Sequence, residues 1–345
     1  MTSSRVVNGS RLPRRVAGGV AVLATLPVVV ILMSVLAGGE AGLLVVLFAA
    51  LEGWTLPVLA LALIPAALSR SRGVLGWVAG VSAVALLVTP PWPHGGGESD
   101  AGALSLRVMV LNLEFGRADP SAVVALVRRA GPDVVVLNEV SARSVAALDA
   151  AGLAELMPYS VAYPRDDASG SGLWSTTPLI SFDPIDGTRF HALRARVRPF
   201  AHAVAGGRGG TRTRSVTVFA VHPAPPQMRA DWLADYRLMR TQVATALASG
   251  EPVVLAGDLN AAPTNGPLRR LLGAGLTDTA TATRWTWQDL TWPADRPFPP
   301  VIRIDHVLAG GGVTPSRLAA VAIPGTDHRA VVADLLLPAG GRPTP

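Results

Sequence analysis

The sequence predicts an α/β domain carried behind about three hydrophobic helices. Three observations predict it. Half of the 345 residues are apolar, and the excess is concentrated before Pro90. From Leu104 onward, short β-rich runs alternate with apolar residues at helical spacing, the texture of an α/β domain. Between the two textures lies Pro90–Asp100, rich in Pro and Gly, which reads as a linker with a solvated His94.

The chain divides into a basic tail (1–15), an apolar anchor (16–89), the linker (90–104), an outer domain (105–338) and a short tail (339–345). The basic tail carries Arg5, Arg11, Arg14 and Arg15 and no acid. Val16–Leu36 then runs uncharged for the ~20 residues that cross a bilayer as a helix. A cleaved signal peptide is the competing reading, but the run exceeds a typical signal core and no clear small-x-small site follows. Ala41–Leu68 is expected to form one long or kinked span, interrupted by Glu52, Gly53 and Trp54 and carrying Pro57 and Pro65. Val74–Val88 follows Arg70 and Arg72 as a shorter third span. With arginines before the first span and between the second and third, the positive-inside rule makes the N-terminus cytoplasmic. Three crossings then place the outer domain outside the cytoplasm, in a multi-pass protein of the cell membrane. Two or four crossings would reverse that. A transporter or channel would need more spans and more intramembrane polar residues than Glu52 alone.

Composition excludes several chemistries. With no Cys there is no disulfide framework, thiol nucleophile or thiolate metal site. With no Lys there is no lysine nucleophile and no Walker-type lysine. The net charge of +6 is spread rather than blocked, so it names no partner, and no protein partner is expected.

Within the outer domain Leu106–Leu111 reads as a strand ending in Asn112. Pro120–Ala130 reads as a helix with Asp119 as N-cap and Pro120 just inside it. Pro132–Glu139 reads as a buried strand whose apolar run Val134–Leu137 delivers Glu139 at its end. Gly172–Ser175 and Ala192–Val197 read as strands, Ala205–Arg214 as a hairpin tip, and Ser215–Val221 as a strand ending at His222. Met228–Ser249 is a long helix. In Glu251–Pro263 the apolar run Val253–Ala256 turns at Gly257 and presents Asp258 and Asn260 on one side. A helix at Pro267–Leu272, a Trp-rich loop, and strands at Arg303–Leu308 and Ala330–Leu337 complete the domain.

Asn112, Glu139, His222, Asp258 with Asn260, Asp305, and Asp327 with His328 all fall at strand ends or just beyond. Each alone is explained by a turn or a cap. Together, polar residues at the ends of buried strands describe a pocket.

The stretches Val110-Leu-Asn112, Leu137-Asn-Glu139, Val221-His-Pro223, Gly257-Asp-Leu-Asn260, Arg303-Ile-Asp-His306 and Thr326-Asp-His328 resemble the endonuclease/exonuclease/phosphatase superfamily, the deoxyribonuclease I-like metallo-phosphodiesterases. Gly172-Leu-Trp-Ser175 with Pro178 resembles its middle strand. The resemblance spans about residues 105–338 and implies a four-layer α/β sandwich, two mixed sheets flanked by helices. It implies Mg²⁺ (or Mn²⁺) held by Glu139 and Asn112, with Asp327 completing the metal region; hard oxygen donors suit these ions. It implies that Asp258 positions and deprotonates the attacking water and that Asn260 holds the phosphate. His328, oriented by Asp305, would stabilise transition-state charge, and His222 would face the phosphate or leaving group. Two departures stand out. Asn138 replaces the usual Gln before the glutamate, and the glutamate that partners the histidine at position 222 is missing, the nearest acids in order being Asp166 and Asp167.

The expected activity is metal-dependent hydrolysis of phosphodiester or phosphomonoester bonds, nuclease-like. Arg284, Trp285 and Trp287, with Trp292, are candidates for binding substrate, by stacking on bases or by inserting at a membrane surface; the competing reading is packing under a Pro-rich loop. Nucleic acid and phospholipid head groups are the candidate substrates, the latter by a sphingomyelinase-like activity. A catalytically dead, membrane-anchored binding protein of the same fold is the alternative from another class.

Overall fold

The computed structural model describes residues 11–90, 92–93, 104–199 and 215–338, and two compact units divide at Pro91. Most of the expected linker with His94, the Ala205–Arg214 hairpin tip and the tail 339–345 lie outside the described residues.

The first unit contains α1 (Arg11–Leu36), α2 (Leu43–Ala50), a 3₁₀ turn at Glu52–Trp54, α3 (Thr55–Ser69) and α4 (Arg72–Val88). The expected single span over Ala41–Leu68 is therefore corrected. The eight residues of α2 reach only about 12 Å, too short to cross a bilayer. The break has a local cause. Pro57 in a continuous helix would clash with the Gly53 carbonyl, whereas in the first turn of α3 its missing N–H costs nothing. The Thr55 hydroxyl donates to the Glu52 carbonyl at 2.8 Å and closes the junction.

Three clusters set the helix directions. Ala21 meets Ala66 and Val78; Val28 and Leu32 meet Leu59, Val81 and Ala85; Val35 meets Ala49 and Val88. Numbers rise together along α1 and α4 and fall along α3, so α1 and α4 run parallel and α3 runs against them. Arg14, Arg15, Arg70 and Arg72 thereby share one end of the bundle, and Glu40 and Glu52 belong to the other. Pro13–Leu36 and Glu52–Ser69 are long and apolar enough to cross a membrane; Arg72–Val88 is shorter.

The second unit contains, in order, β1 (Leu104–Asn112), α5 (Pro120–Ala130), β2 (Val134–Asn138), α6 (Ala142–Ala150), α7 (Leu153–Leu156), β3 (Tyr159–Tyr163), β4 (Ser171–Ser175), β5 (Leu179–Pro184) and β6 (Leu193–Val197). There follow β7 (Val216–Ala220), α8 (Arg229–Ala248), β8 (Val253–Asp258), α9 (Gly266–Leu272), β9 (Thr277–Asp278), α10 (Thr279–Thr283), β10 (Asp305–Gly310), β11 (Thr314–Ala322) and β12 (Arg329–Leu337). Two six-stranded mixed sheets form, in the orders β11-β12-β1-β2-β4-β3 and β5-β6-β7-β8-β10-β9. Alternate residues of both sheets meet in one core: Val108, Val110 and Val331 from the first, Val218, Val254 and Val307 from the second. The intervening Met109, Leu111, Val135 and Leu137 face outward onto Val123 and Val127 of α5 and Leu148 of α6. Behind the second sheet α8 buries Trp232, Tyr236, Met239 and Val243, and the Tyr236 hydroxyl donates to the Leu259 carbonyl at 2.7 Å.

Strand direction positions the site. β1 and β2 are parallel, as are β7 and β8, while β12 runs antiparallel to β1 and β10 antiparallel to β8. The carboxyl ends of the four parallel strands and the amino ends of β10 and β12 therefore lie along one edge. The helix at Pro120–Ala130 forms as expected, with the Asp119 carboxylate accepting from the Ser121 and Ala122 N–H groups. Strand β10 begins at Asp305 rather than Arg303.

Candidate active site

Asn112 ends β1, and its amide nitrogen donates to Glu139 Oε1 and to Asp258 Oδ2, each at 3.0 Å. Glu139 follows β2 in a left-handed conformation (φ 56°) and accepts the Phe115 N–H at 2.8 Å. Asn260 is also left-handed (φ 48°). Such conformations cost energy in non-glycine residues and gather at functional sites. Asp258 ends β8, where Gly257 is required: at φ 152°, a Cβ would stand 1.9 Å from the Val221 carbonyl oxygen. Asp258 Oδ1 accepts the Asn260 N–H at 2.9 Å, and the Asn260 amide donates to the Pro223 carbonyl at 3.0 Å.

Two imidazoles face the same carboxylate oxygen. His222 Nε2 lies 3.6 Å and His328 Nε2 3.7 Å from Asp258 Oδ2. His328 Nδ1 lies 2.9 Å from Asp305 Oδ2, and its Nε2 is also 3.7 Å from Asp327 Oδ1. His222 packs against the Phe190 ring, with centroids 5.0 Å apart. Burial alone would depress the His328 pKa. Asp305, Asp258 and Asp327 outweigh it and push the value up to about 10. Because that value exceeds the free imidazole's, the stability it confers is complete below about pH 6.5 and is lost as pH rises through about 10. The melting temperature in EDTA is accordingly expected to fall between pH 7 and 10.5, and His328→Gln to lose most of that fall. A wild-type profile flat to pH 10.5 would contradict the charged imidazole.

The endonuclease/exonuclease/phosphatase family model matches residues 109–328. The chain belongs to this family. No curated protein matches it. Among solved structures, TDP2 from C. elegans is similar with a TM-score of 0.52 at 15% identity, over 75% of this chain and 80% of that one. A family member from Bacteroides thetaiotaomicron gives 0.51 at 13% identity, over 69% of this chain and 100% of its own. A functionally unknown conserved protein from Enterococcus faecalis gives 0.51 at 14%, over 67% and 99%. These likenesses establish the fold. The family's chemistry is phosphoester hydrolysis, and Asp258, Asp305 and His328, with ligand atoms within 4.8 Å of one another, make a buried cluster able to hold a metal ion.

The family motifs hold further residues with work to do. Asn138, which stands where the family usually has Gln, is fully buried and joins the two sheets. Its oxygen accepts the Asp258 N–H at 2.8 Å, and its nitrogen donates to the Val221 carbonyl at 3.2 Å and to Ser171 Oγ at 3.3 Å. Gly257 keeps room beside this amide: a Cβ there would stand 3.3 Å from Asn138 Oδ1. His306, also buried, places Nε2 3.0 Å from the Ala261 carbonyl and Nδ1 3.3 Å from Asp278 Oδ2, anchoring the turn that carries Asn260. Burial would raise the Asp278 pKa, but His306 and Arg303 hold it below the usual carboxylate range. Trp292 Nε1 donates to Asp327 Oδ2 at 2.9 Å, and Glu114 accepts the Asp327 N–H at 2.9 Å.

The acid that faces His222 is Asp258, 3.6 Å from its Nε2, rather than Asp166 or Asp167. Asp167 is engaged by the Ser169 hydroxyl and N–H, which hold its pKa low. Asp235, buried in α8, feels the charge of His222 and accepts the Arg189 and Ala224 N–H groups at 2.9 and 2.8 Å. Burial outweighs these contacts and raises its pKa. Local order along the chain could not reveal it, because α8 reaches the site from behind the sheet.

Trp285 and Trp287 are 39% and 36% exposed, with ring centroids 4.9 Å apart. Arg284 pairs with Asp289 inside this turn. The buried Arg303 guanidinium donates to the Gln288 carbonyl at 2.9 Å and ties the turn to β10.

Proposed function

We propose that this family member is a membrane-anchored, divalent-metal-dependent phosphoesterase that hydrolyses phosphodiester bonds outside the cytoplasm. The observation that supports it most is the convergence of Asn112, Glu139, His222, Asp258 and the Asp305–His328 pair, drawn from both sheets, on one edge. The carboxylates of Glu139 and Asp327 are hard oxygen donors that fit Mg²⁺ or Mn²⁺, while Asn112 turns its amide nitrogen to Glu139 and its oxygen to the Glu114 N–H, so it would have to rotate to join them. A divalent ion held there would neutralise charge on the phosphoryl oxygens. Asp258 takes the proton of the attacking water. Asn260 holds a phosphate oxygen, and His328, kept charged and oriented by Asp305, donates to the oxygen on which negative charge builds. The Asp258–Asp305–His328 cluster is the alternative place for the ion.

Anchoring is supported by outer faces that are apolar, with Leu23, Leu61 and Leu87 65%, 67% and 83% exposed. Three antiparallel crossings, with arginines at one end and acids at the other, orient α4 outward. The Trp285–Trp287 pair offers stacking area for bases or a hold on a membrane surface. The test has two arms. A C-terminal alkaline phosphatase fusion is expected to be active and a fluorescent-protein fusion dark; the reverse sinks the orientation. The purified chain is then assayed with Mg²⁺ and with EDTA on plasmid DNA, RNA, bis-p-nitrophenyl phosphate, sphingomyelin and phosphoinositides. Metal-dependent cleavage of nucleic acid is the expected result, and cleavage confined to the lipids would assign the head-group reading. Hydrolysis of nothing would leave a binding protein of the same fold and refute the proposal.

A further inference from the structure

The N-terminal unit contains a groove that the phosphoesterase site does not use. It lies beside the first turns of α1, where α3 ends and α4 begins, and has a volume of about 570 Å³. Gly19 opens it. A Cβ on Gly19 would meet nothing within 4 Å, while one on Gly18 would touch Val74 Cγ2 at 3.4 Å and Ser69 Cβ at 3.5 Å, where α1 packs on the α3–α4 junction. The walls are therefore bare helix backbone and apolar side chains such as Val22, while Arg14, Arg15 and Ser71 stand at the mouth. Ser71 is the N-cap of α4, so the free N–H groups of that helix open on the same end. Arg70 and Arg72 flank it in the chain. Among the described residues no carboxylate pairs with these four arginines, and the unit's acids, Glu40 and Glu52, belong to the opposite end.

An apolar cleft between helices with an unneutralised cationic mouth suits an anionic head group set above a hydrocarbon chain. We infer that this groove binds one anionic glycerophospholipid, its phosphate at Arg14 and Arg15 and an acyl chain along Gly18, Gly19 and Val22. The inference rests on the proposal that α1, α3 and α4 cross the bilayer, and it places the lipid in the leaflet on the N-terminal side. Such a lipid fills the open space that Gly19 leaves beside α1. It therefore stabilises the bundle as well as orienting it.

The test titrates the full chain in neutral detergent with phosphatidylglycerol, with phosphatidylcholine and inorganic phosphate as comparisons, and reads the melting temperature. Phosphatidylglycerol is expected to give a shift that saturates near one lipid per chain, and the comparisons none. Arg14→Gln combined with Arg15→Gln is expected to raise the half-saturating concentration about 30-fold, which is about 1 kcal/mol per arginine. Gly19→Leu fills the groove with no change of charge, so it is expected to abolish the saturable shift without lowering the lipid-free melting temperature. A shift that never saturates, an equal response to phosphatidylcholine or phosphate, or a Gly19→Leu chain that responds like wild type overturns the inference. Whether the chain stays with membranes after carbonate extraction tests the anchoring separately, before any lipid is added.

Discussion

Replacing His328 by alanine is expected to lower kcat on a phosphodiester by at least ~10³-fold, the loss that follows removal of a preorganised transition-state donor. The magnitude follows from where the imidazole sits. Asp305 holds Nδ1 at 2.9 Å, and Nε2 faces Asp258 and Asp327, each at 3.7 Å. Three carboxylates keep the ring charged against its burial, so in the proposed mechanism it would meet the developing phosphoryl charge without reorganising. Asp305→Asn should follow part of the way, because the amide can present its N–H to Nδ1 and favour the wrong tautomer. His222→Ala is expected to cost only on the order of 10–100-fold, since His222 Nδ1 has no hydrogen-bond partner to orient it. Steady-state kinetics on one poor and one good leaving group decide the matter. If His222→Ala is the worse variant on the poor leaving group and mild on p-nitrophenolate, His222 is the general acid, and the buried Asp235 is the carboxylate behind it.

Glu139→Gln is expected to abolish tight Mn²⁺ binding and to lower kcat on the order of 10³-fold, the effect of losing several kcal/mol of charge stabilisation. Glutamine keeps an oxygen to accept from Asn112 or from the Phe115 N–H, so the melting temperature should change little. That separates loss of the ion from loss of the fold. Calorimetric titration of Mn²⁺ into both chains is the measurement. A Glu139→Gln chain that binds Mn²⁺ as wild type does would move the ion away from Glu139. The cluster of Asp258, Asp305 and His328 would then be its place, and Asp305→Asn should lose the metal instead.

Much of this protein is written locally. The apolar runs before Pro90, the alternation after Leu104 and the words that end β1, β2, β7 and β8 are each set by a few neighbouring residues, so they are legible in order along the chain. Asp119 with Pro120 marks a helix start that forms as expected. Some elements escaped for equally physical reasons. β11 has only Thr314 and Val321 as β-branched residues and carries Pro315 at a register shift, so it lacks the β-branched signature. β5 is an edge strand, half-exposed or exposed throughout, without the apolar alternation of a buried one. The break after α2 needed Pro57 to be read as a first-turn proline rather than as a kink.

The sequence by itself determined which residues stand at strand ends, where the arginines and acids fall among the hydrophobic helices, and which chemistries lack their residues altogether. Only the tertiary structure decided which of those residues meet. Asn112 touches Asp258 from 146 positions away, and Asn138 holds the Asp258 backbone from 120 away. Neither contact follows from strand or turn propensity. They depend on how two sheets stack, which is set by the volume of the Val- and Ala-rich core between them and by a glycine that permits close approach. Packing of α8 behind the second sheet brings Asp235 within the field of His222, and the fold of the loop before β10 hangs Trp292 on Asp327. Side-chain pairing across layers is a property of packing, and packing is not encoded at any one position.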